Sequence, residues 1–102
     1  MKIYRDGRCF HTDFFIFFYE KSEIKEVGFT ASKKVGNAVA RNLSKRRMRA
    51  AFLHIADDID SGAFALVAKQ AVLQANFTDL LTHLKKAYTI CTKPRTANTK
   101  KP

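Results

Sequence analysis

The spacing of hydrophobic and polar positions changes several times along this chain, and each change predicts an element. Cys9–Tyr19 reads CFHTDFFIFFY, an aromatic-rich run that predicts a β-strand. Period two places Thr12, Phe14, Ile16 and Phe18 on one face and Asp13, Phe15, Phe17 and Tyr19 on the other. Rings fall on both faces, so one face covers a core and the other forms a partly open aromatic surface. Glu20–Glu26 is a charged turn, and Val27–Ala31 (VGFTA) is a second strand. These two strands are expected to form an antiparallel hairpin. Ser32–Asn37 is a loop in which Gly36 relieves backbone strain.

Beyond the loop the period becomes helical. Asn37 can cap a helix from Ala38 to Ala56. At about 100° per residue, Ser44, Met48, Ala51, Phe52 and Ile55 gather on one side as the core face. Asp57–Gly62 (DDIDSG) ends that helix, and Phe64–Ala68 (FALVA) is a short, uncharged, buried strand. Asn76 caps a further helix, with Asp79 three positions on as a near capping box. Its apolar face is Leu80, Leu81, Leu84 and Tyr88. Met1–Asp6 is too short for a full helix, and Gly7 is a turn. Residues 93–102 form a basic, Pro-containing tail expected to be disordered. The order strand, strand, helix, strand, helix predicts an α+β sandwich: one small sheet with helices packed on it.

The chain's 102 residues are 46% hydrophobic and include nine Phe and three Tyr. That suits a single domain over 1–92 with one packed core. The formal net charge of +10 changes the picture more, because it calls for an anionic partner. A bilayer is not crossed, since no run of 18 or more apolar residues exists. The N-terminus lacks the apolar stretch of a secretory signal, so a cytoplasmic location is expected. Cys9 and Cys91 match no metal-ligand spacing and are read as reduced thiols.

The charge is concentrated. Between Glu26 and Asp57 there is no acidic residue, yet Lys33, Lys34, Arg41, Lys45, Arg46, Arg47 and Arg49 lie there. On the predicted helix, Asn42, Lys45, Arg46 and Arg49 share an arc beside the core face, with Arg41 one turn earlier and Leu43 and Leu53 at the border. The cations therefore make a stripe rather than a ring. Arginine forks fit phosphate oxygens in pairs, and lysine adds point charge. Lys33 and Lys34 extend the patch toward the helix N-terminus, which itself favours anions. Asn42 adds an amide able to meet a sugar hydroxyl or base edge. A surface that served solubility alone would interleave signs.

The run SKKVGNAV followed by RNxxKRxxR resembles the signature of the protein subunit of bacterial ribonuclease P. The matching residues are Ser32, Lys33, Lys34, Val35, Gly36, Asn37, Ala38, Val39, Arg41, Asn42, Lys45, Arg46 and Arg49, then Ala51 and Phe52. The order of elements agrees from Gly7 to about Tyr88. The resemblance implies a compact fold like that of a ribosomal-protein domain, with a left-handed βαβ crossover. It implies binding to a large catalytic RNA that removes the 5′ leader of precursor tRNA using Mg²⁺ held mainly by RNA and substrate, with one protein per RNA. Lys33, Lys34, Asn37, Arg41, Asn42, Lys45, Arg46 and Arg49 are then the residues that meet RNA. By the family pattern Tyr4 and Phe18 fall where the cleft for the single-stranded leader has its aromatics, with Phe14 and Ile16 beside Phe18 on the same face, which suits stacking on rings beside cations. The chain departs from the pattern in three places. Leu43 and Ser44 replace an expected cation and an aliphatic residue, and the helix that normally precedes Gly7 is short or missing.

No catalytic or metal-binding constellation competes with this reading. His11, His54 and His83 are scattered, and Cys9 with His11 has no third member. Asp57, Asp58 and Asp60 read as a helix-ending loop without EF-hand spacing. The chain is thus expected to be an accessory subunit of an endoribonuclease whose reacting groups lie in RNA. A ribosomal-type or general RNA-binding structural protein is the alternative from composition and fold alone, and a metal-free nuclease acting by itself is a third reading.

Overall fold

The computed structural model describes residues 8–59 and 61–92. Four strands make one mixed sheet: β1 (Arg8–His11), β2 (Phe15–Glu20), β3 (Lys25–Thr30) and β4 (Gly62–Ala68). Two α-helices, α1 (Ala38–Ala56) and α2 (Phe77–Thr92), and a 3₁₀ turn at Gln70–Leu73 complete it. The α+β class agrees with the sequence reading. Tyr4, Gly7, Asp60 and the basic tail lie outside the described residues.

The expected single strand over Cys9–Tyr19 is two strands. Thr12 breaks it: its Oγ1 accepts from the amides of Phe14 at 3.1 Å and Phe15 at 3.0 Å, while its own amide donates to the Phe15 carbonyl at 2.9 Å. A short hydroxyl side chain thereby supplies the turn that the run of apolar residues conceals. The hairpin continues in register, with Cys9 opposite Phe18 and Phe10 opposite Phe17. Phe14 consequently sits in the turn, not on the strand face beside Ile16 and Phe18. Its ring meets the His83 ring of α2 edge-on, centroids 4.8 Å apart.

The expected antiparallel hairpin between the second and third strands is also absent. The sheet order is β1-β2-β4-β3, so β4 lies between them, antiparallel to β2 and parallel to β3. The sequence of β4 (GAFALVA) carries no charge and can be buried within the sheet, whereas β3 begins with Lys25 and Glu26 and takes the edge. Helix α1 is the crossover between the parallel pair.

Strand register sorts the side chains. Phe15, Phe17, Phe64 and Leu66 share one face and are buried with Met48, Phe52 and Ile55 of α1 and Leu80, Leu84, Ala87 and Cys91 of α2. The core face of α1 is the predicted set, Ser44, Met48, Ala51, Phe52 and Ile55. Ser44 is accommodated because its hydroxyl donates to the Arg41 carbonyl at 2.8 Å. On α2, Leu81 and Tyr88 are only partly buried, and Ala87 and Cys91 complete the core face instead.

The candidate nucleic-acid interface

The basic helix begins where its local chemistry demands. The Asn37 Oδ1 accepts from the Ala40 amide at 2.9 Å, an N-cap that satisfies one orphan donor of the first turn. The preceding loop is tightly turned: the Val35 amide donates to the Ser32 carbonyl and the Gly36 amide to that of Lys33, at 3.0 and 3.2 Å. Gly36 has φ +145°, and a Cβ there would lie 2.9 Å from that of Ala40. A glycine is therefore required for the chain to enter the helix at this angle. Lys33 and Lys34 remain exposed on the loop.

The predicted cations divide by environment. Arg46 and Arg49 are exposed, as is Asn42, while Arg41 and Lys45 are half-buried. Arg41 donates to the Gly36 carbonyl at 3.3 Å, which ties the helix to its loop. The Arg49 guanidinium lies 5.4 Å from the centre of the Phe29 ring, a cation–π contact that fixes it over the edge strand. None of these cations meets a carboxylate among the described residues. The remaining arginine, Arg47, behaves differently. It turns inward, donates to the Ala75 carbonyl, and leaves its buried Nε without a partner. It is a brace between α1 and the segment before α2.

A second surface lies on the sheet face away from the helices. Register places Cys9, Ile16, Phe18, Ala65, Val67 and Gly28 there. Ile16 and Phe18 are half-buried on it and Cys9 is exposed. At the end of this face a cleft of about 440 Å³ is lined by Ile16, Val67, Ser32, Lys34 and Lys69, among others. The Lys69 Nζ is held there by the Thr12 carbonyl at 2.6 Å. Phe14 is not part of this face, for the reason given above, and Tyr4 lies outside the described residues. Sequence reasoning missed Val67 and Lys69. Alternation within GAFALVA carried the signal, because Ala63, Ala65 and Val67 fall opposite Phe64 and Leu66.

Lys25, also missed, stabilises α1 from its far end. Its Nζ donates to the carbonyls of Ala56 at 2.7 Å and Ile59 at 3.0 Å, placing positive charge at the helix C-terminus. Among the described residues no group of three or more His, Cys, Asp or Glu side chains could hold a metal ion, and no helix is long and apolar enough to cross a membrane.

A loop-capped basic helix beside a partly apolar sheet face is the arrangement that the sequence signature leads one to expect, and comparison with known proteins decides its family. The family model for ribonuclease P matches residues 1–92. The chain belongs to the ribonuclease P protein family. It is 41% identical over 75 residues to the ribonuclease P protein component of a Nitratiruptor species, a match covering 74% of this chain and 69% of that one. It is 40% identical over 80 residues to the component from Bartonella quintana, covering 76% of this chain and 57% of that one. The fold is that of the Staphylococcus aureus RNase P protein, with a TM-score of 0.76 at 24% identity over 89% of this chain and 86% of that one. The Thermotoga maritima RNase P protein has the same fold, with a TM-score of 0.70 at 19% identity over 82% of this chain and 83% of that one. The ribonuclease P protein family thus accounts for both the signature and the fold, and the ribosomal-type alternative loses its footing.

Proposed function

We propose that this chain binds the catalytic RNA of ribonuclease P through the loop and exposed edge of α1, and the single-stranded 5′ leader of precursor tRNA through the sheet face. Family membership makes it the accessory protein of a tRNA-processing endoribonuclease. One observation carries the RNA assignment: Lys33, Lys34, Lys45, Arg46 and Arg49 are held on a capped, rigid helix and its loop without a carboxylate partner among the described residues. Cations so placed gain most from a phosphate backbone, because each contact releases condensed counterions. The leader assignment rests on Ile16 and Phe18 lying on one face beside the cleft that Lys34 and Lys69 border. Such a surface receives bases by stacking and backbone by charge, with little reading of sequence.

The chain's own contribution is to position. It neutralises crowded phosphates, holds the leader extended, and so favours the bound geometry of the scissile bond. On the family resemblance, we assign the Mg²⁺ of the holoenzyme, which supplies charge stabilisation at the phosphate, to RNA and substrate. We place the complex in the cytoplasm, with one protein per RNA. The test is reconstitution with the catalytic RNA. Precursor tRNA cleavage at low Mg²⁺ should rise on adding the protein, and the rise should depend on the leader. Cleavage no better with the protein than without it, or cleavage by the protein alone, would overturn the proposal.

A further inference from the structure

The outward edge of α1 is not purely cationic. Positions 39, 43, 46, 50 and 53 follow steps of four and three, which keeps them within about 40° of one line along a helix. They are Val39, Leu43, Arg46, Ala50 and Leu53. Val39 is 76% exposed, Leu53 66% and Leu43 43%. Four of the five positions on the most exposed line of the helix are thus apolar, and Leu43 stands where the family signature usually has an arginine. The core is already supplied by the opposite face, so packing within the chain does not explain them. Asn42, Arg49 and Lys45 lie to one side of this ridge, and Arg46 interrupts it.

We infer that the ridge Val39–Leu43–Ala50–Leu53 is a docking surface for the sugar edge of structured RNA, an apolar contact seated beside the phosphate contacts of the cations along one of its sides. This rests on the proposed RNA-binding role of α1 and specifies how the contact is made. The partner follows from charge and shape. A second copy of the chain would bring Arg46, Lys45 and Arg49 against their own kind, and no acidic residue lies between Glu26 and Asp57 to offset them. An A-form helix presents a wide, shallow minor groove of ribose and base edges bordered by phosphates. A convex helix edge with small apolar groups at its crest and cations beside it matches that relief. Leu43 exchanges one unit of charge for apolar contact, so binding should depend less on salt than the cation count of the signature implies.

The experiment compares the wild type with Val39→Ser/Leu53→Ser in binding to the catalytic RNA across a salt series, with thermal melting as a check on folding. Both side chains are exposed, so melting should be unchanged. The ridge predicts affinity lower by about ten-fold at every salt concentration with the slope of log affinity against log salt preserved, as expected for lost apolar contact. Affinity equal to wild type across the series overturns the inference while leaving the RNA-binding role intact; failure of the wild type itself to bind removes that role and the inference with it. Sedimentation of the free protein supplies the other arm. A concentration-dependent dimer abolished by the double substitution would assign the ridge to self-association, and selective binding to anionic phospholipid vesicles lost in the same variant would assign it to a membrane surface. Either result overturns the RNA assignment.

Discussion

Arg46 and Arg47 are adjacent in sequence and should fail in opposite ways when truncated. Arg46 is exposed and has no carboxylate partner among the described residues. Arg46→Ala should leave folding untouched and remove one phosphate contact. The slope of log affinity against log salt should become shallower by ~0.7–0.9, equivalent to roughly a three-fold smaller loss of affinity over a four-fold rise in salt. Arg47 instead donates to the Ala75 carbonyl and braces α1 against the segment before α2. A hydrogen bond from a charged donor contributes ~1.5–3 kcal/mol, and truncation recovers part of that by releasing the buried, unpartnered Nε, so Arg47→Ala should cost ~1–2 kcal/mol net. For a domain of this size that lowers the melting temperature by ~5–15 °C. The assays are thermal melting and equilibrium RNA binding between about 50 and 200 mM monovalent salt, conditions spanning the range over which counterion release is resolved. An Arg47→Ala variant that melts like wild type and flattens the salt slope as Arg46→Ala does would refute the division of labour.

Other perturbations test the remaining parts. Phe18→Ala should weaken binding of leader-bearing precursor tRNA to the holoenzyme, by ~1–3 kcal/mol for a lost stacking platform, with little change in assembly with the catalytic RNA; equal loss for substrates with and without a leader would remove the sheet face from that role. Asn37→Ala should cost ~1 kcal/mol of stability in denaturant titration through the lost cap, whereas Asn37→Asp should preserve it. Leu84→Ala, at a fully buried position, should cost ~2–5 kcal/mol by the same measurement. Burial, with a smaller push from Cys9, raises the Cys91 thiol to about 11 from its ordinary 9.0. The folded state therefore favours the protonated thiol, and its contribution to stability is complete below pH 9 and is lost as pH rises toward 11. Replacing Cys91 by Ala should make the alkaline fall in stability shallower. Cys9 is exposed on the sheet face, so a bulky thiol reagent should modify it first in the native protein, and bound leader should slow that reaction.

What the sequence revealed depended on how local each cause was. Helix α1 and its buried arc could be read directly, because the Asn37 cap and the spacing of Met48, Phe52 and Ile55 act within a few residues of one another. The cap of α2 at Asn76, whose Oδ1 accepts from the Asp79 amide at 3.0 Å, was legible for the same reason. The cationic loop and stripe were legible as composition, yet composition could not tell Arg47, which is consumed by a carbonyl contributed from position 75, from its neighbours. The sheet order was hidden because β4 enters between β2 and β3 from a distant part of the chain, and period-two patterning specifies faces but not neighbours. The turn at Thr12 was hidden by the aromatic run around it. That turn moved Phe14 off the face that Ile16 and Phe18 share.

The crossover explains why the loop entering α1 and the sheet face adjoin. Because β3 and β4 are parallel, the chain leaves β3 at the same end of the sheet where β4 finishes at Ala68. The loop that enters α1 is thereby set beside Lys69, and Lys34 from that loop meets Ile16 and Val67 in a single cleft. The antiparallel hairpin expected from sequence would have set β3 directly against β2, with no β4 between them to bring Val67 and Lys69 to that cleft. Parallel pairing places the basic helix and the partly apolar sheet face on either side of one short loop, with a glycine that cannot be replaced without strain at its end. On the proposed reading, a strand lying across Ile16 meets Lys34 in that same cleft. The adjacency of the basic helix and the sheet face is thus a property of strand order, and the basic composition alone would not have produced it.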